Sequence, residues 1–200
     1  MSGSALYRAR SRVRHQLTAW HTGGEGIHSP TLFYLVRMII YDDNAYYAYR
    51  TIEQKRQSVS PKLGRLLFRL VNHLTHEQRE PLTVVEVGED SAGAYLTAPA
   101  QTNKVLSYDS LPPSLPKQVD LAFVNIPDAA AALQCCRQLM PCMRDHSLLV
   151  VADIHRSPEM TEAWQQLQAE QRVTSTLDLY DIGIVVFNRH YLHKNYRLRF

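Results

Sequence analysis

The sequence predicts an α/β fold, with helices first and a mostly parallel sheet after them. Three observations predict it. Short β-rich runs begin at residue 82 and recur to residue 187, helical patterns separate several of them, and the first 80 residues carry helical periodicity. The composition changes character near Pro81. The expected organisation is therefore a helical extension over residues 1–80, packed on a core over residues 81–200, in one globular unit. A chain of 200 residues has room for one well-buried core but not comfortably for two.

Residues 6–20 form a basic helix candidate, stopped by Thr22-Gly23-Gly24. Gly26-Ile27-His28-Ser29-Pro30 then offers Ser29 as an N-cap and Pro30 at the first helical position. Leu32, Leu35, Val36 and Ile39 make an apolar stripe on that helix, and Leu63, Leu66, Leu67, Leu70, Val71 and Leu74 make one on a later helix. The strand candidates are residues 82–87, 105–108, 119–124, 148–151, 173–177 and 183–187. Helical patterns over 128–140 and 158–169 imply parallel crossovers, whereas the last two runs are joined by only a few residues, including Asp181. The sheet is expected to end in an antiparallel hairpin.

Hydrophobic residues make up 45% of the chain and charged ones 20%, and no apolar run approaches the ~20 residues that cross a bilayer. Met1-Ser2-Gly3-Ser4 leads into an Arg-rich polar segment rather than a secretion signal, so cytoplasmic residence is expected, with no membrane association. Cys135, Cys136 and Cys142 are odd in number and lack paired metal spacing, which reads as buried free thiols. The net charge is only +3. Its distribution says more: Arg8, Arg10, Arg12 and Arg14 crowd one end, and Arg189, His190, His193, Lys194, Arg197 and Arg199 the other. Such a chain suits an acidic partner, although solvated termini explain the pattern equally well. Nucleic acid is the weaker expectation, because no base-reading element accompanies the charge.

The order of elements resembles the Rossmann-like class I methyltransferase fold. More narrowly, Gly26-Ile27-His28-Ser29-Pro30, Leu66-Leu67-Phe68-Arg69-Leu70-Val71, Asp153-Ile154-His155-Arg156-Ser157 and the closing Arg197-Leu198-Arg199-Phe200 resemble motifs of one bacterial family. These are S-adenosylmethionine-dependent methyltransferases typical of Bacteroidetes, with G-I-H-S-P-F and D-I-H-W-S segments. The resemblance spans nearly the whole chain. It implies S-adenosylmethionine as cofactor and methyl transfer to an unidentified oxygen or nitrogen acceptor. The alternative is an inactive protein of the same fold, serving as an interaction module.

The resemblance also implies a site. Glu86-Val87-Gly88-Glu89-Asp90-Ser91-Ala92-Gly93 matches the family's glycine-rich turn at Glu86 and Gly88, but Ala92 stands where a second glycine is usual and Gly93 lies one step beyond. A methyl group at Ala92 is expected to crowd the ligand, and Glu89 and Asp90 to repel a cofactor carboxylate. Asp109 ends the second strand about twenty residues on, placed to accept hydrogen bonds from ribose hydroxyls. Asn125 replaces an acid at the end of the next strand, so no tightly held metal is expected between it and Asp153.

Asp153 and His155 are the candidate catalytic pair, since His accepts protons near neutral pH; His155 equally suits capping the helix that follows. His28, Ser29 and the tyrosines 41, 46, 47 and 49 are candidates for covering or stacking on a ligand, with capping and ordinary packing as the simpler reading. Between Asp109 and Val119 only nine residues remain, three of them proline, spanning at most ~30 Å. That is too little for a strand and helix. The family's third strand is expected to be missing, leaving the adenine pocket open and the second strand as an exposed edge suited to a homodimer.

Overall fold

The computed structural model describes residues 3–19, 22–89, 91–191 and 193–200; Trp20 of the expected first helix and Asp90 of the glycine-rich turn lie outside the described residues. Helix α1 covers Gly3–Thr18. Helix α2, Pro30–Tyr34, runs on into a π-helical turn, Leu35–Ile40. Ser29 caps α2 by accepting the Leu32 N–H at 3.4 Å, with Pro30 in the first turn where a missing donor costs nothing. Helix α3 covers Tyr47–Glu53, and α4, Pro61–Gln78, repeats the Ser-Pro start through Ser60. The widened π turn leaves carbonyls without helical partners. Buried Arg69 of α4 takes them, donating from Nε to Ile39 O at 2.7 Å and from Nη2 to Ile40 O at 2.9 Å.

Then come β1 (Thr83–Gly88), α5 (Gly93–Thr97), β2 (Lys104–Tyr108), β3 (Val119–Asn125), α6 (Ala129–Leu139) and β4 (Met143–Ala152). They are followed by α7 (Pro158–Gln168), β5 (Ser175–Asp178), β6 (Ile182–Val186) and β7 (Lys194–Arg197). Among the described residues these strands form one seven-stranded sheet in the order β2-β1-β3-β4-β6-β5-β7. β1 is parallel to both β2 and β3, and β3 to β4; β6 is antiparallel to β4 and β5, closing the expected hairpin. The fold is the mixed α/β architecture that the strand and helix patterns predict. As expected from the short connection over residues 110–118, no strand lies beyond β2, which forms one edge of the described sheet.

Strand β7 was not anticipated. Lys194-Asn195-Tyr196-Arg197 buries only Tyr196 and pairs with β5 at the other edge, so it lacks the apolar alternation that marks interior strands.

The period of two sorts the sheet's side chains into two layers. Val84, Leu121, Phe123, Leu148, Val150 and Ile184 share one buried cluster with Leu32, Leu66 and Leu70 of the preceding helices. Val85, Val87, Ala122, Val124, Leu149 and Val151 share the opposite cluster with Leu139 of α6 and with Trp164 and Leu167 of α7. Among the described residues no helix is long and apolar enough to cross a membrane.

Candidate functional site

The chain leaves β1 for β2 on one side and returns to β3 on the other, so the strand order reverses at β1. Crevices at the carboxyl ends of such strands are where open α/β sheets bind ligands. A cleft of about 480 Å³ opens there, floored by Gly88, Glu89 and Asp109 and walled by Ile126, Pro127 and the α6 residues Ala131, Gln134 and Cys135. The proline-rich connection forms the remaining wall through Ser110, Leu111, Pro112 and Pro113. The loop that stands in place of the missing strand lines this side of the cleft, which stays open to solvent. Burial pushes the Cys135 thiol up to about 12, so it stays protonated and serves as apolar wall rather than nucleophile.

The floor of the cleft requires glycine. Gly88 has φ +143°, and a Cβ there would stand 2.1 Å from the Asn125 carbonyl oxygen of β3. Glu86, two residues earlier on the same face, is buried and turned inward. Its carboxylate accepts the Ala92 N–H, the Ser91 hydroxyl at 3.0 Å and the Ser107 hydroxyl at 2.8 Å, so it clamps the turn from below. Gly93 opens α5 and donates its N–H to Ser91 Oγ at 3.1 Å. Ala92 is fully buried in the cluster beneath the helices, so its methyl fills core and not the cleft. Ala92 stands at the N-cap of α5, one residue before the helix begins. Asp109 is exposed at the mouth, beside exposed Glu89.

Asn125 and Asp153 line a second cavity, of about 260 Å³, together with Ser60, Lys62, Ala152 and Phe200. Burial lowers the Lys62 ammonium's pKa, against the raising effect of Asp181 and with a further lowering from Arg12. Asp153 has φ +53°, a conformation that non-glycine residues hold only where their surroundings fix it. Here its N–H donates to Asp181 O at 2.6 Å, and its carboxylate pairs with Arg8 at 3.3 Å. The Asp153 side chain keeps 40% of its exposure and stays within reach of a small molecule.

His155 lies elsewhere. Its Nε2 is 2.8 Å from Asp178 Oδ2 and its Nδ1 3.1 Å from Thr161 Oγ1, so neither nitrogen opens onto a cavity; Ser157 caps α7 instead. Around it stand residues that the sequence reading did not single out as a group. Tyr7, Arg8, Arg12 and His15 of α1 dock on the β5–β6 turn and the start of α7. Tyr7 donates to Thr161 Oγ1 at 2.8 Å, Arg12 reaches both Asp181 oxygens at 2.8 and 3.0 Å, and the Tyr180 hydroxyl donates to Arg8 O at 2.6 Å. His15 Nδ1 is 3.5 Å from Asp178 Oδ1, and the Tyr180 ring stacks on His155.

Burial raises the pKa of Asp178, but the His155 hydrogen bond, the charges of His155 and His15 when protonated and the Tyr180 N–H together bring it below the ordinary carboxylate value. The signal was present in the sequence: basic residues at i, i+4 and i+7 on α1 match the acids Asp178 and Asp181 of one hairpin. The two cationic ends of the chain also meet, since His15 Nε2 lies 3.0 Å from Leu198 O and Arg199 donates to Gln16 O at 3.1 Å.

Of the tyrosine group, Tyr46 and Tyr49 pack edge-on against Phe68 while Tyr47 points into solvent.

No protein-family model matches the chain, and no curated protein sequence matches it. Solved structures do. The ribosomal protein L11 methylase from Lactobacillus delbrueckii subsp. bulgaricus aligns at 16% identity over 64% of this chain and 80% of its own, with a TM-score of 0.38. The mitomycin 7-O-methyltransferase MmcR aligns at 12% identity over 92% of this chain and 68% of its own, TM-score 0.36. LaPhzM aligns at 12% identity over 90% and 68%, TM-score 0.32. Likeness at this level carries no argument about chemistry, which rests on the side chains described above.

Proposed function

We propose that the chain binds S-adenosylmethionine in the 480 Å³ cleft and transfers its methyl group to an oxygen or nitrogen acceptor held in the cavity beside Asn125 and Asp153. The observation that carries this reading is the cleft at the sheet's switch point, where the side-chain-free floor at Gly88 meets the open carboxylate of Asp109. The residues suit an adenosine-type ligand: Asp109 accepts from a ribose diol, and Leu111, Ile126 and Pro127 offer apolar surface to a base. The cleft volume falls within the ~300–1,000 Å³ of small-molecule sites.

The bound cofactor supplies an already activated methyl group. What remains for the protein is alignment and removal of a proton. Glu86 and Gly93 hold the turn in shape, Asn125 orients the acceptor through its amide, and Asp153, held in place by Arg8, takes the acceptor's proton. His155 is a positioning residue, fixing the segment after β4 through Thr161 and Asp178.

The second reading, an inactive interaction module, draws on the turn's own chemistry. The Ala92 and Gly93 N–H groups are spent on Glu86 and Ser91, and Glu89 sets a negative charge beside the place of a cofactor carboxylate. Calorimetric titration with S-adenosylmethionine and S-adenosylhomocysteine separates the two. Micromolar binding that weakens at least tenfold in Asp109→Ala is the expected result. No heat with either ligand overturns the cofactor reading and leaves the module.

A further inference from the structure

We propose that His15, His155 and Asp178 form a binding site for a divalent first-row transition ion, with Zn²⁺ the expected occupant, that fastens α1 to the sheet. The three residues come from α1, the segment after β4 and the end of β5, and their ligand atoms all lie within 4.8 Å of one another. All three side chains are at least 88% buried, at 7%, 12% and 4% exposure. Two imidazoles and one carboxylate are the donor set that zinc and its neighbours in the series take up.

The outer nitrogens of both rings face oxygen atoms. His15 Nε2 faces Leu198 O at 3.0 Å, and a carbonyl only accepts, so the hydrogen of neutral His15 sits on Nε2. The His15 Nδ1 lone pair then points at Asp178 Oδ1, 3.5 Å away, and two acceptors confront each other in a buried place. His155 repeats the pattern. Thr161 Oγ1, 3.1 Å from Nδ1, directs its own hydrogen toward Ile154 O and so accepts from the ring, which leaves the Nε2 lone pair facing Asp178 Oδ2 at 2.8 Å. Either a proton on each ring or one metal cation must stand between these acceptors. Imidazoles whose far N–H is fixed by an oxygen while the near nitrogen is free are the arrangement in which histidine binds metal.

The ligand atoms need only small movements to meet one ion, because donors ~2.0–2.1 Å from zinc in a tetrahedron stand a little over 3 Å apart. Asp181 and Asp153 carry their own arginines and do not compete for it. The ion would be structural: it joins residue 15 to residues 155 and 178.

The test uses the full chain without a histidine tag, stripped with chelator and titrated with Co²⁺. The expected result is one equivalent of tightly bound Co²⁺ with the visible d–d absorption of a low-coordinate site, displaced by Zn²⁺ and accompanied by a rise in melting temperature. In His155→Gln the affinity should fall by more than the roughly 100-fold that loss of an outer-shell partner costs. A readout on the unmutated chain guards against a variant that fails to fold. Of the nine histidines, Zn²⁺ should shift the imidazole nitrogen resonances of His15 and His155 alone. Absence of the absorption band overturns the proposal, as do shifts confined to exposed histidines such as His190 and His193; a proton then fills the cation's place.

Discussion

The two ends of the sheet treat charged side chains in opposite ways. Beside β2, Glu89 and Asp109 stand exposed on the cleft, and neither enters an ion pair among the described residues. Beside β5 and β6, every acid at the α1 dock is held: Asp178 between two histidines, Asp181 by Arg12, Asp153 by Arg8. A solvated, unheld carboxylate adds little to stability and stays available to a ligand, whereas one held by a buried partner is costly to disturb; Asp153, paired with Arg8 yet 40% exposed, stands between the two. Residues of the same type thus divide into binding groups and fastening groups according to where the fold places them.

Substitutions can break or sharpen that division. Gly88→Ala should cost most, at least ~4 kcal/mol by urea unfolding, since it drives a Cβ into the Asn125 carbonyl and holds alanine at a φ it avoids. A loss under ~1 kcal/mol would mean the strands part easily there.

Asp178→Asn should cost ~3 kcal/mol, as for other buried pairs that lose one partner. It should also change the acid limb. The Asp178 carboxyl lies below its ordinary value of 3.8 when folded, so its contribution is present above that pH and is lost as pH falls through the lower folded value. The unmodified chain should therefore lose stability more steeply below about pH 4 than Asp178→Asn does. Equal slopes would remove Asp178 from the account.

Arg12→Ala removes an ion pair whose partners are 53% and 41% exposed, together with a guanidinium 4.7 Å from the centre of the Tyr180 ring, and should cost no more than ~1 kcal/mol in a thermal melt. Asp109→Ala should fall within ~0.5 kcal/mol of the unmodified chain by the same melt. A larger loss would place Asp109 among the fastening groups.

Much of the scaffold is legible in the residues themselves. Interior strands announce themselves because apolar side chains alternate onto two buried faces, and Ser29-Pro30 marks a helix start because a hydroxyl and a missing donor suit those positions. β7 is hidden because an edge strand that buries only Tyr196 carries no such period.

The site divides similarly. Gly88 and Asp109 follow from their place at two strand ends, and both line the cleft. Glu86 and Gly93 lie in the right turn, yet their bonds run inward, which no linear spacing reveals. Asn125 belongs to the second cavity rather than the first because strand alternation turns its side chain toward α4. His155 stands beside Asp153 in the sequence but faces the other way, since the left-handed turn at Asp153 ends the strand's alternation. The dock itself depends on a helix more than 130 residues upstream, a pairing that only the folded chain brings together.

Hydrogen–deuterium exchange with and without S-adenosylhomocysteine tests the division most directly. The account predicts slowed exchange over residues 87–89, 109–113 and 125–128 around the cleft, with α1 and residues 178–181 unchanged. Protection confined to α1 and residues 153–156, with none beside Gly88 and Asp109, would contradict it.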